Sequence, residues 1–198
     1  TQLVALLLIF AFLRHRTPAA GESLTIFLMT GIMPVFLLRG SLQQGASAIT
    51  GNRGLMIYRK VGAFGVITAR QILELMISLC VVLIVMGFMK VFHGLAFQEW
   101  IDRGGSLLQA LAALASLAYG LSYLSAQLGR MFDQWRDLAA IVGRLLFFTS
   151  GVWFTLDSLP PAIRKWALYN PLAHVIEWIR DAALPTFSSL HFVRSYPF

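Results

Sequence analysis

The chain has 198 residues, 58% of them hydrophobic and 13% charged, against roughly 45–50% and about 25% in soluble domains. Its mean hydropathy is +0.71 and the apolar excess is gathered into long runs, which excludes an ordinary soluble globule and points to an all-α, polytopic membrane protein. Sixteen Lys and Arg against nine Asp and Glu give +7, but the basic residues are scattered between the runs, as loop charges beside anionic headgroups are, so no nucleic-acid partner is implied.

The first apolar run, Leu3–Leu13, is followed at once by Arg14, His15 and Arg16. Eleven residues fall short of the about 20 that a spanning helix needs. The run therefore reads as the second half of a span that starts before Thr1. The second run is Leu24–Leu38, continued by Arg39 and a small, polar stretch over 40–50. The third is Ile72–Met89, with Glu74 near its start, and the fourth is Leu107–Ala126, rich in Ala, Gly and Ser that let helices approach closely in lipid. The fifth is Leu138–Leu156, interrupted by Arg144.

Pro160–Pro161 then precede a short helical stretch to Tyr169 and an amphipathic helix over 170–184, "NPLAHVIEWIRDAAL". Asn170 can cap that helix, and Pro171 sits at its first position, where a missing N–H costs nothing. Leu172, Val175, Ile176, Ile179 and Ala183 recur on one side; His174, Glu177 and Asp181 share another. As a transmembrane span this helix would carry His174, Glu177, Arg180 and Asp181 into lipid, several of them at roughly 2.5–3.5 kcal/mol each. It reads as re-entrant, with a wet face.

Loop charges set the orientation. Arg53, Arg59, Lys60 and Arg70, with Arg130 and Arg136, make six basic residues on one side; Arg14, Arg16, Lys90 and Arg103 make four on the other. The 51–70 connection is thereby placed in the cytoplasm. Within it, a short helix over Arg53–Arg59 is either an interfacial anchor or a plug for a cytoplasmic partner. Arg70 and Glu74, four apart, can neutralise each other on one helix face.

Arg39 and Arg144 lie in or beside apolar runs, so each either lines a polar pathway or snorkels to the nearer interface. The aromatics Phe147, Phe148, Trp153, Phe154, Trp166, Tyr169 and Trp178 fit an interfacial belt, and their faces are also platforms for sugar rings. Catalytic constellations are thin. His174 and Glu177 suggest a metal pair only in isolation, and a polar helix face explains them better. The sequence has no nucleophile elbow and no phosphate-binding glycine loop, and the single Cys80 excludes an intrachain disulfide. Any ATP is handled by another chain.

"NRGLMIYRKV", "ITARQILEL" and "SGVWFTLDSLPPAIRKWALYNPLAHVIEWIRDAAL" together resemble the permease subunit of ABC type-2 exporters, on the branch exporting capsular polysaccharide and O-antigen chains. The resemblance covers nearly the whole chain. It implies one transmembrane permease domain over 1–198 with five spans present, the first incomplete, of an expected six. It also implies two re-entrant exit-gate helices at about 160–184 and a coupling helix at about 51–60, in which Asn52, Arg53, Leu55, Tyr58, Arg59 and Lys60 meet the ATPase. Arg39, Arg144, Phe148, Trp153, Phe154, Trp166, Tyr169, His174, Glu177, Trp178, Arg180 and Asp181 are then expected along the translocation path or gate.

The implied function is ATP-driven export of lipid-linked capsular polysaccharide across a bacterial inner membrane, by a homodimer with two ATP-binding cassette subunits. ATP and Mg belong to those partners, and this chain itself is not an enzyme and needs no cofactor or metal. Membrane lipids and periplasmic or outer-membrane export proteins complete the expected partners. O-antigen, teichoic acid or a small lipid or drug are alternative cargoes, and a polytopic acyl- or glycosyltransferase is the alternative of another class.

Overall fold

The computed structural model describes residues 24–58, 61–93, 104–152, 155–156 and 159–183. The incomplete first span, Leu3–Leu13, lies outside them, as do Arg59, Lys60, Trp153 and Phe154. Among the described residues every element is helical. They are α1 (Leu24–Ala48), α2 (Ala63–His93), α3 (Gly104–Met131), α4 (Trp135–Thr149), α5 (Pro161–Ala167) and α6 (Pro171–Ala183), with 3₁₀ turns at Thr50–Asn52 and Leu55–Ile57.

Helix α1 is the hub, packing against α2, α3, α4 and α6. Its 25 residues would extend for about 37 Å. The polar continuation expected after Leu38 does not end the helix, because Ser41 turns inward and donates to the Leu37 carbonyl at 2.8 Å. Pro34 removes the usual donor to the Thr30 carbonyl, which a buried bundle helix tolerates.

The burial pattern is the reverse of a soluble bundle. In α2, Leu73, Met76, Leu83 and Ile84 are more than half exposed, while the polar Gln71 is buried and donates to Ser41 Oγ at 3.0 Å. Helices α2 (over Ala63–Ile84) and α3 (over Gly105–Met131) are long and apolar enough to cross a membrane, and most of their side chains face outward. An exposed Leu face in water would be a liability; in lipid it carries no cost.

On α3, what faces inward is mostly small. Ala110, Leu114, Ala118, Ser122, Ser125 and Ala126 form one stripe of α3, turned to α1. Gly45 lies against the Ser122 backbone, and a Cβ built on Gly129 would stand 2.5 Å from the Ala46 carbonyl oxygen. These glycines let the two backbones touch, which is how helices associate where no water drives them together. Ser125 ties three elements: it donates to the Leu42 carbonyl at 2.6 Å and accepts from Trp135 Nε1 at 2.8 Å.

The principal apolar cluster lies at the other end, where Leu28, Ile32 and Val35 of α1 meet Leu114 and Ala118 of α3 and Leu172, Ile176 and Ile179 of α6. Thus the half-polar α6 sits inside, and the most apolar helix lies outside.

Candidate functional site

The fifth apolar run stops being helical at Thr149, earlier than its composition suggests. Gly151 takes φ 73°, a left-handed conformation that side-chained residues rarely adopt, and this turns the chain out of α4. The backbone polar groups around this turn are not satisfied by a continuous helix.

Side chains supply what the ladder cannot. Arg180 Nη1 donates to the Gly151 carbonyl and Nη2 to the Val152 carbonyl, each at 2.9 Å. Its guanidinium also lies over the Phe27 ring, 3.8 Å from the centroid. Three residues before Arg180, Glu177 Oε1 accepts the Leu156 N–H at 2.6 Å. Arg164 Nε donates to the Leu156 carbonyl at 3.1 Å and Nη2 to that of Leu159 at 3.0 Å. Burial works against the charged Arg180 and the Glu177 carboxylate works for it. Non-helical backbone in a membrane protein is tolerated where protein satisfies it, and α5 and α6 carry the groups that do so here.

The start of α6 is as expected: Asn170 Oδ1 accepts the Leu172 N–H at 3.0 Å with Pro171 at the first helical position. Asn170 Nδ2 also reaches the Thr149 carbonyl at 3.3 Å, so the same residue caps α6 and closes the end of α4. Leu172, Val175, Ile176, Ile179 and Ala183 are buried, as their spacing predicts.

The other face of α6 differs from the expectation. Glu177 is 2% exposed, although its place beside His174 and Asp181 put it on a wet face, and with Arg180, 0% exposed, it grips the turn after α4. The physical reason is the backbone at Gly151, Val152 and Leu156, whose carbonyls and N–H group need partners once the helix has ended. His174, Trp178 and Asp181 are half-buried. His174 Nε2 hydrogen-bonds the Leu168 carbonyl at 2.7 Å, so His174 and Glu177 serve different backbone groups and do not converge as a metal pair. Phe148, Trp166 and Tyr169 are exposed, the last two at 79% and 84%.

At mid-bundle, Arg39 leaves α1 towards α4, where a Cβ on Gly143 would stand 2.9 Å from its Cγ. Arg144, the next residue of α4, is exposed amid the outward-facing Ile141, Leu145 and Phe148.

At the opposite end, the stretch expected as a short helix over Arg53–Arg59 holds, up to Tyr58, only the single 3₁₀ turn Leu55–Ile57; a separate turn, Thr50–Asn52, precedes it, where Asn52 Nδ2 turns back to the Ala48 carbonyl at 2.7 Å. Arg53, Ile57 and Tyr58 are exposed; Leu55 lies within the second turn. Arg70 does not pair with Glu74. It donates to Gln44 Oε1 at 2.7 Å, while Glu74 lies against Gly40.

Sequence reasoning missed the Ser41–Gln71 and Leu42–Ser125–Trp135 ties. Their signal was available as Ser and Gln recurring within small-residue stretches, which in lipid marks helix contact.

The whole stretch 1–184 matches the family model described as ABC-2 type transporter. Among characterised proteins the chain is similar to the polysialic acid transport protein KpsM of Escherichia coli, 31% identical over 187 residues, which are 94% of this chain and 71% of that protein. It is also similar to the capsule polysaccharide export inner-membrane protein BexB of Haemophilus influenzae, 26% identical over 84% of this chain and 63% of the relative. The corresponding protein CtrC of Neisseria meningitidis serogroup B is 23% identical over 80% of this chain and 58% of its own length. With outward apolar helices, inward small residues and this match over most of its length, the chain belongs to the ABC-2 type transporter family of membrane proteins.

Proposed function

We propose that this chain is the inner-membrane permease of an ATP-driven exporter of capsular polysaccharide. The polymer is lipid-linked and passes between two copies of the chain, while two ATP-binding cassette subunits dock on the cytoplasmic end. The relatives' names as capsule polysaccharide export inner-membrane proteins support the substrate and the compartment.

The observation that carries the two-copy reading is Arg144. It is exposed in the single chain among Ile141, Leu145 and Phe148. Left in lipid, an Arg at that depth would cost roughly 2.5–3.5 kcal/mol. A second copy facing α4 across a hydrated path removes that cost, and this number of helices could not by itself enclose a hydrated polymer.

The division of labour follows from side-chain chemistry. Arg53, Ile57 and Tyr58 offer a basic and apolar surface at the cytoplasmic end for the ATPase, with Asn52, Leu55, Arg59 and Lys60 in the same segment. The α5–α6 hairpin is the exit gate, Trp166 and Tyr169 its exposed aromatic edge, His174, Trp178 and Asp181 its half-buried flank. Trp153 and Phe154 lie between the gripped residues 152 and 156. ATP binding in the partners shifts the permease pair between closed and open states by contacting the two states differently.

The test is Arg144→Leu in cells lacking the native copy. Unchanged membrane level with polymer retained on the cytoplasmic side is expected; normal surface polymer would overturn the reading.

A further inference from the structure

Two ring nitrogens of α6 are buried and unpaired. His174 Nε2 is bonded to the Leu168 carbonyl at 2.7 Å, while its Nδ1 is buried with no hydrogen-bond partner among the described residues. Trp178 Nε1, one turn later, is likewise buried and unpartnered. A carbonyl only accepts, so His174 Nε2 carries the proton and Nδ1 of the neutral ring is an acceptor. The indole N–H of Trp178 is a donor.

Residues four apart face the same way on a helix, with Cβ atoms about 5–6 Å apart. Long helical side chains lean towards the helix N-terminus, which carries the Trp178 indole back over the turn that bears His174. One oxygen that accepts from the indole and donates to the imidazole, at about 2.8–3.0 Å each, bridges about 5 Å. The two spans match. A buried donor or acceptor left unpaired is costly, and here the two are of opposite sense. A carboxylate or carbonyl would serve only the indole, and an ammonium only the imidazole. A hydroxyl serves both.

We propose that His174 and Trp178 form a hydroxyl-binding subsite of the exit hairpin, which takes a sugar hydroxyl of the passing polymer when the two nitrogens are uncovered. This rests on the export reading above. Water has the same donor and acceptor sense. The sugar is favoured by position: both rings are half-buried, and the carbonyl that His174 holds belongs to the neighbour of Tyr169, which is 84% exposed. The indole sets an apolar face beside its polar N–H, as a sugar ring sets C–H groups beside its hydroxyls.

The test uses the complete transporter in phosphatidylcholine vesicles and follows ATP hydrolysis against the concentration of a lipid-linked oligosaccharide. The same oligosaccharide with every hydroxyl O-methylated has no donor for His174, and its methyl groups do not fit between the rings. The readout is the ratio of the two half-maximal concentrations, which does not depend on the absolute rate. That ratio is expected to fall about ten-fold in H174F and about three-fold in W178F, which keeps an aromatic ring without the N–H. H174Q, with a donor for Leu168 and an acceptor, is expected to keep part of the wild-type ratio. W178F, the milder change, carries the test if H174F does not assemble. A wild-type ratio in all three variants overturns the subsite and leaves export standing. No response of the wild type to either form overturns the export reading and the proposal together. A wild-type ratio in W178F and H174F with a lowered melting temperature, measured without oligosaccharide, assigns water to the pair and overturns the sugar.

Discussion

Arg180 reaches across 29 residues of sequence to donate to the Gly151 carbonyl, and the backbone it grips is the point where α4 stops being a helix. Glu177, one turn earlier on α6, holds the Leu156 N–H on the far side of the same turn. Helix α6 and the turn that follows α4 are therefore one unit. Removing Arg180 strands two carbonyls and leaves Glu177 buried, so Arg180→Met is expected to cost about 3–5 kcal/mol. Glu177→Gln keeps an acceptor for Leu156 and should be milder than Glu177→Leu. Thermal unfolding of the detergent-purified protein checks the order, and a wild-type melting curve for Arg180→Met would remove the clasp.

Close packing of α1 and α3 gives a second expectation. Gly45→Val and Gly129→Val drive a side chain into the backbone at Ser122 and Ala46, and overpacking of this kind costs about 1–3 kcal/mol or more. Gly120 has open space around its Cα, so Gly120→Ala should be neutral or stabilising by up to about 1 kcal/mol. Expression level and melting temperature separate the two groups; equal behaviour of Gly45→Val and Gly120→Ala contradicts the packing.

The surface over Arg53–Tyr58, proposed above to dock the ATPase, should matter for coupling and not for folding. Ile57 and Tyr58 are 83% and 68% exposed, so truncation removes little intramolecular packing. Ile57→Ala with Tyr58→Ala, and separately Arg53→Glu with Arg59→Glu, are expected to leave the permease inserted and to weaken ATPase co-purification. Truncating a side chain at the centre of a protein interface costs about 1–2 kcal/mol or more in affinity. Full co-purification with normal export in both double variants would show that the docking surface lies elsewhere.

Thiol labelling from the periplasmic side tests the proposed gate. With the native Cys80 replaced, single cysteines at 166 and 169 should react fastest with a membrane-impermeant reagent, those at 174 and 181 more slowly, and those at 175, 176 and 179 least. Labelling that is equal on all faces of α6, or that comes from the cytoplasmic side, would remove the re-entrant gate.

The class of this protein follows from patterning alone. Long apolar runs over 24–38, 72–89 and 107–126, with basic residues between them, can be satisfied only by helices in lipid, and the Asn170–Pro171 start of α6 is a local matter settled by capping. The identity of the gripping residues was equally visible, since Glu177 and Arg180 are too polar for an ordinary core. Which way they point was decided by tertiary structure: the groups they serve belong to Gly151, Val152 and Leu156, more than 20 positions away, and need partners because Gly151 breaks α4. The same holds for Arg70, which a one-helix argument pairs with Glu74 but which the packing of α1 on α2 places beside Gln44. Periodicity fixes what one helix can offer. Partners come from the neighbouring backbone, whose needs no local pattern records.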